Sequence, residues 1–157
     1  MSKICISPCL LGTPCRYDGR AKPADLSALG DDAELVPFCP EMAAGLGCPR
    51  EPIELVESAE GPARVMGVKS RTDVTERLRA ACTDEAEALK AAGGVDLFVL
   101  KARSPSCGVE SPLHDAEGRE VGTAPGEWAR MVRARFPGVP VLTEEQLARA
   151  GQGTATG

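Results

Sequence analysis

Asp96-Leu97-Phe98-Val99-Leu100-Lys101 is a short, continuous apolar run closed by charge at both ends. Apolar residues with no polar alternation predict a strand buried on both faces, as in a parallel sheet covered by helices. Runs of the same kind lie at residues 3–7, 34–38 and 139–142, and one at 64–68 is weakened by Gly67. Helical patterns alternate with them. Asp73 is a predicted N-cap with Glu76 as its capping-box partner. Leu78, Ala81, Cys82, Ala86 and Leu89 then keep helical spacing until Gly93-Gly94. Residues 127–136 and 144–150 predict two more helices. The order predicts an α/β fold, a single three-layer domain with a mainly parallel sheet covered by helices. That domain is expected over residues 1–150, with a disordered tail over 151–157.

The chain has 157 residues, enough for one self-sufficient core. Aromatics make up only 3%, so Ala, Val and Leu must fill most of that core. The net charge of −5 argues against a nucleic-acid partner, which selects for a basic footprint. No run approaches the roughly 20 apolar residues that span a bilayer, so no membrane partner is expected. The first residues carry a short apolar stretch that Pro8 breaks, unlike a secretory signal, and a cytoplasmic location is expected. Thiols stay reduced there, so seven cysteines point to metal binding or catalysis rather than disulfides.

Three of those cysteines lie at chain bends beside a proline, just after an expected strand: Cys9 in Ser-Pro-Cys, Cys39 in Phe-Cys-Pro, and Cys107 in Ser-Pro-Ser-Cys-Gly. The ends of parallel strands converge on one crevice, where three thiolates would form an incomplete soft-metal site. An iron–sulfur cluster is usually held by four cysteines, so three would leave one iron open. Cys5 stands four residues before Cys9, about 13 Å away in an extended chain, and reads as core filler. Cys82 falls on the apolar face of a helix, where a thiol behaves as a small hydrophobe. Cys15 and Cys48 stay ambiguous. Spacing alone leaves ligation and simple burial both open. There is no Cys-x-x-Cys pair, and the lone His114 makes a Cys₂His₂ site impossible.

Several segments together resemble one family. They are Ile4-Cys5-Ile6-Ser7-Pro8-Cys9-Leu10-Leu11-Gly12, Cys15-Arg16-Tyr17-Asp18-Gly19, Cys39-Pro40-Glu41, Gly45-Leu46, Pro49-Arg50, Asp73-Val74-Thr75 and Leu100-Lys101-Ala102-Arg103-Ser104-Pro105-Ser106-Cys107-Gly108. In this order, over residues 3 to 148, they are similar to the family catalogued as domain of unknown function 523, which includes the thiouracil desulfurases. The resemblance implies a [4Fe–4S] cluster on Cys9, Cys39 and Cys107, with one iron that no cysteine ligates. It also implies a catalytic Glu41 and an assisting Ser104. The chain departs from the family pattern after Gly108, at Val109 to His114 and at Ala124-Pro125-Gly126-Glu127-Trp128.

The implied activity is desulfuration of a small thio-heterocycle such as thiouracil, with water supplying the oxygen. An open iron would draw on the thiocarbonyl sulfur, Glu41 would move a proton, and Ser104 would hydrogen-bond the substrate. Taken by itself, Glu41 also reads as an acid at a helix start, and Ser104 as a turn residue before Pro105. Arg16 and Asp18 either orient substrate or close a turn, with turn closure favoured for Asp18-Gly19. Lys101 and Arg103 are charges beside an anionic cluster or solvated strand-end charges. Two other functions stay open. One is a non-catalytic iron–sulfur or sulfur-handling accessory protein. The other is a metal-free enzyme with Cys107 as nucleophile, for which His114 is the only possible histidine base.

Overall fold

Side chains along the central strands alternate between two apolar surroundings. The computed structural model describes residues 2–156, without the side chains of 151–156. Its elements are β1 (Lys3–Ile6), β2 (Glu34–Pro37), α1 (Pro40–Ala43), β3 (Ile53–Val56), β4 (Arg64–Gly67), α2 (Thr75–Ala91), β5 (Leu97–Leu100), β6 (Ser111–His114), β7 (Glu120–Ala124), α3 (Glu127–Arg135), β8 (Val141–Thr143) and α4 (Glu144–Thr156). The expected disordered tail, residues 151–157, lies outside the residues whose side chains are described.

The first sheet has the order β2-β1-β5-β8 and is parallel at every pairing. Cys5, Phe98 and Leu100 join a cluster with Cys82, Ala86 and Leu89 of α2 and Trp128 and Val132 of α3. Ile4, Ile6 and Val99, one residue out of step, pack with Leu147 of α4. Period-two strands buried on both sides make the middle of three layers. Cys5 and Cys82 are fully buried in this packing, as core filler. Four of the five aromatic residues meet here. Trp128 lies 4.7 Å from Phe38 and 5.9 Å from Phe98, ring to ring, each pair adding about 0.5–1.5 kcal/mol beyond area burial. Phe38 directly precedes Cys39, so this packing anchors that strand end.

The expectation of one sheet needs enlarging. The 64–68 run is a strand, β4, but it pairs antiparallel with β3 in a second sheet of order β4-β3-β6-β7. Leu55 and Val65 from this sheet pack on Val74 and Leu78 at the start of α2. The capping box also differs from expectation. Asp73 Oδ1 accepts the Thr75 N–H at 2.9 Å, but Glu76 takes Nη1 of Arg64 and of Arg79 instead of turning back to Asp73. Two arginines within reach outcompete one backbone N–H for that carboxylate. No helix among the described residues is long and apolar enough to cross a membrane.

In the first sheet the chain goes from β1 to β2 on one side and later to β5 on the other. Such a reversal opens a crevice beyond the carboxyl ends of the strands. The loops carrying Cys9, Cys39 and Cys107 all leave from those ends.

Candidate metal and substrate site

Pro8 stops β1 and starts a short 3₁₀ turn, Pro8–Leu11, on which Cys9 sits buried. Gly12, at φ 98°, ends the turn and donates to the Cys9 carbonyl at 3.3 Å. An L side chain at that φ would be strained, so the glycine is required. Phe38 N–H reaches Ile6 O at 3.1 Å, extending the ladder by one bond beyond β2. Cys39 then caps α1, with Pro40 at the first helical position and Glu41 in the first turn.

The third segment leaves β5 and folds back on itself. Ser104 Oγ accepts the N–H of Ser106 at 3.3 Å and of Cys107 at 3.1 Å, and Gly108 N–H bonds Ser104 O at 2.8 Å. Gly126 lies against this turn. A Cβ there would meet Ser106 C at 2.8 Å and Cys107 N at 2.9 Å, so only glycine lets the start of α3 approach.

The three segments close on one pocket of about 290 Å³. Cys9, Cys39, Cys107, Glu41 and Ser104, the five residues expected at a site, all line it. Cys15 lines it too, near enough to Cys39 for each thiol to shift the other's proton affinity. Cys48 does not join them: its Sγ donates to the carbonyls of Pro14 at 3.2 Å and Arg16 at 3.3 Å, pinning the Cys15 loop. His114 lies in the second sheet, with Nδ1 3.2 Å from Leu55 O and 3.6 Å from Glu54 Oε2. Asp18 Oδ1 accepts the Arg20 N–H at 3.0 Å, the turn closure expected of it.

Burial pushes the Cys39 thiol up to about 11 and the Cys107 thiol well above its ordinary value. Cys9 is raised first by burial and then by Cys39, while Lys101 and Arg16 oppose the shift. Left free, these thiols hold their protons at neutral pH and are poor nucleophiles, which weighs against a metal-free Cys107 enzyme. A soft metal group would displace the protons. Among the described residues no three His, Cys, Asp or Glu side chains are set to hold a single metal ion. A cluster spreads its cysteines over several irons and asks for a wider array. The charges suit such a group, because Arg16, Lys22, Arg50, Lys101 and Arg103 line the same pocket. The donor set therefore fits a cluster better than a lone ion.

Two residues at the site went unread in the sequence. Arg50 Nε donates to Glu41 Oε1 at 2.8 Å, and its Nη groups bond Gly47 O and Cys15 O at 2.7 and 3.0 Å. Ser106 Oγ donates to Glu41 Oε2 at 2.6 Å and lies 3.1 Å from Ser104 Oγ. The Ser-Pro-Ser spacing around a bend was the only available signal for Ser106.

The chain is similar to known proteins along nearly its whole length. The profile of a family described as 2-thiouracil desulfurase matches residues 4–145. An uncharacterised protein of Bacillus subtilis (strain 168), YbbK, is 33% identical over 150 residues, covering 92% of this chain and 97% of its own. The solved structure of a [4Fe–4S]-dependent thiouracil desulfidase, TudS, superposes with a TM-score of 0.76 at 32% identity, covering 100% of both chains.

Proposed function

Because the chain belongs to the 2-thiouracil desulfurase family, we propose that it replaces the thiocarbonyl sulfur of a thio-heterocycle such as thiouracil by oxygen from water. Cys9, Cys39 and Cys107 would hold a [4Fe–4S] cluster with one iron free of cysteine. The observation that supports this most is the meeting of three thiols from three separate strand ends with a buried carboxylate in one pocket. The likeness to TudS, whose name records both cluster and activity, points the same way.

When bound, the cluster supplies a thiophilic Lewis acid for the thiocarbonyl sulfur. The remaining work belongs to the protein. Arg50 fixes Glu41 Oε1, so the carboxylate presents Oε2 as the atom that takes or returns a proton during water addition. Backbone N–H groups set the Ser104 hydroxyl at the pocket wall, where its proton would turn from Ser106 Oγ to hydrogen-bond the heterocycle. The cationic lining offsets negative charge in the pocket, and the half-buried walls of Pro52, Ile53 and Pro105 limit bulk water. Proton movement and charge stabilisation need no redox partner.

The test is turnover of 2-thiouracil by anaerobically prepared, iron-replete protein in ¹⁸O-labelled water. Uracil carrying the label, with one sulfide released per uracil, is the expected result. Iron-replete protein that yields no uracil would contradict the reading and favour an accessory role.

A further inference from the structure

We propose that Tyr17 is the stacking platform for the heterocycle, the residue that sets KM and the preference for a flat ring. The inference rests on the desulfuration reading, because it names how that substrate lies in the pocket.

The chain has five aromatic residues. Trp128, Phe38, Phe98 and Phe136 belong to the core between the first sheet and its helices. Tyr17 stands apart from them, 40% exposed and on the pocket wall. Among the described residues it is the only aromatic side chain lining that pocket. Pro8, Pro52, Ile53 and Pro105 line it as well, but none of them has a π face.

Single exposed apolar residues are ordinary on a protein surface. Tyr17 differs in how its backbone is held. Arg50 N–H donates to Tyr17 O at 2.6 Å. At the neighbouring residue, Arg16 O accepts the Gly19 N–H at 2.8 Å and Cys48 Sγ at 3.3 Å. Arg50 also holds Glu41 Oε1 through its guanidinium at 2.8 Å. One residue therefore ties the loop that carries the ring to the carboxylate. The ring can pivot only about its two side-chain torsions, so little entropy is lost when a ligand settles on it.

The Arg16 guanidinium stands over the ring, 5.9 Å from its centroid. No other ring or cation contact to Tyr17 exists among the described residues, which leaves the opposite face for a ligand. A pyrimidine is flat and has a π face of its own. Stacking a base on an aromatic ring gains roughly 5- to 150-fold in binding. A puckered ring of the same size cannot make that contact over its whole face.

In anaerobically prepared holoenzyme, Tyr17→Leu should raise KM for 2-thiouracil about tenfold. Its kcat should stay within about threefold, with iron and sulfide as in wild type. Tyr17→Phe should bring KM back to within about twofold, since the ring face and not the hydroxyl makes the contact. The preference in kcat/KM for 2-thiouracil over 5,6-dihydro-2-thiouracil should shrink about tenfold in Tyr17→Leu. Comparing the two proteins cancels the intrinsic difference between the two compounds. A second readout needs neither variant nor turnover. Tyr17 is the only tyrosine, so holoenzyme grown with 3-fluorotyrosine gives one fluorine resonance. Uracil should shift that resonance, and 5,6-dihydrouracil at the same concentration should shift it less. An unmoved resonance, an unchanged preference in Tyr17→Leu, or a Tyr17→Phe protein that behaves like Tyr17→Leu would overturn the proposal. Wild-type holoenzyme that makes no uracil would instead overturn the parent reading, and the fluorine resonance would still show whether a flat pyrimidine meets Tyr17.

Discussion

Cys5 and Cys9 are four residues apart and both buried, at 0% and 6% exposure, but their surroundings differ in kind. Cys5 points into the layer of α2 and α3, among Phe98, Cys82 and Trp128. Burial first, and then Glu85, raise its thiol to about 12, and no cation opposes them. Cys9 lies past the break at Pro8, where the raising effects of burial and Cys39 are opposed by Lys101 and Arg16. Burial alone makes an inert thiol. A strand end that turns out of its layer into a cation-lined crevice makes one able to ligate. Glu127 and Glu41 repeat the contrast. Both are buried and paired with arginine, but Glu127 is held by Arg79 and Arg130 on the helix layer, away from the pocket.

The largest expected effect tests the thiols. Cys39→Ala should lose essentially all bound iron and all turnover, while Cys82→Ala should keep both and cost about 1 kcal/mol in urea unfolding. Iron retained in the first variant, or lost in the second, would erase the distinction between rim and interior. Next come the carboxylates. Glu41→Gln should keep the visible absorption of the cluster and lose at least about 100-fold in kcat. Glu127→Gln should turn over normally, and equal losses in the two would show that burial rather than position matters. Arg50→Met strands a carboxylate whose side chain is only 10% exposed, so apo protein should lose about 3–5 kcal/mol in urea unfolding. A loss under about 1 kcal/mol would put that pair with ordinary surface contacts. The smallest effect is on the far side of the fold. Asp73→Ala should cost about 1 kcal/mol by freeing the Thr75 N–H, with turnover unchanged.

The first sheet was legible because β1 and β5 are apolar on both faces, a signal that periodicity carries by itself. The second sheet was not. Pro112 interrupts β6, β7 is mostly exposed with Gly122 in its middle, and β3 lies between Pro52 and Glu57. The 64–68 run read correctly as a strand, but its partner β3 gives no local sign. At the site, Cys9, Cys39 and Cys107 were legible from prolines that end strands. Ser106 was not, because its role depends on Glu41, 65 residues away in the chain. Cys15 stayed ambiguous for a related reason: the distant Cys48 and Arg50 fix its loop in the pocket.

Cys15 also sharpens the central claim, since a fourth thiol in the pocket could occupy the iron that the reaction needs free. The most direct test is a crystal structure of the anaerobically reconstituted protein, with the irons located by anomalous scattering. The expected result is about four irons, three of them bonded one each to Cys9, Cys39 and Cys107 and the fourth to no protein atom. Iron bonded to Cys15, or a cluster seated away from any of the three, would contradict it.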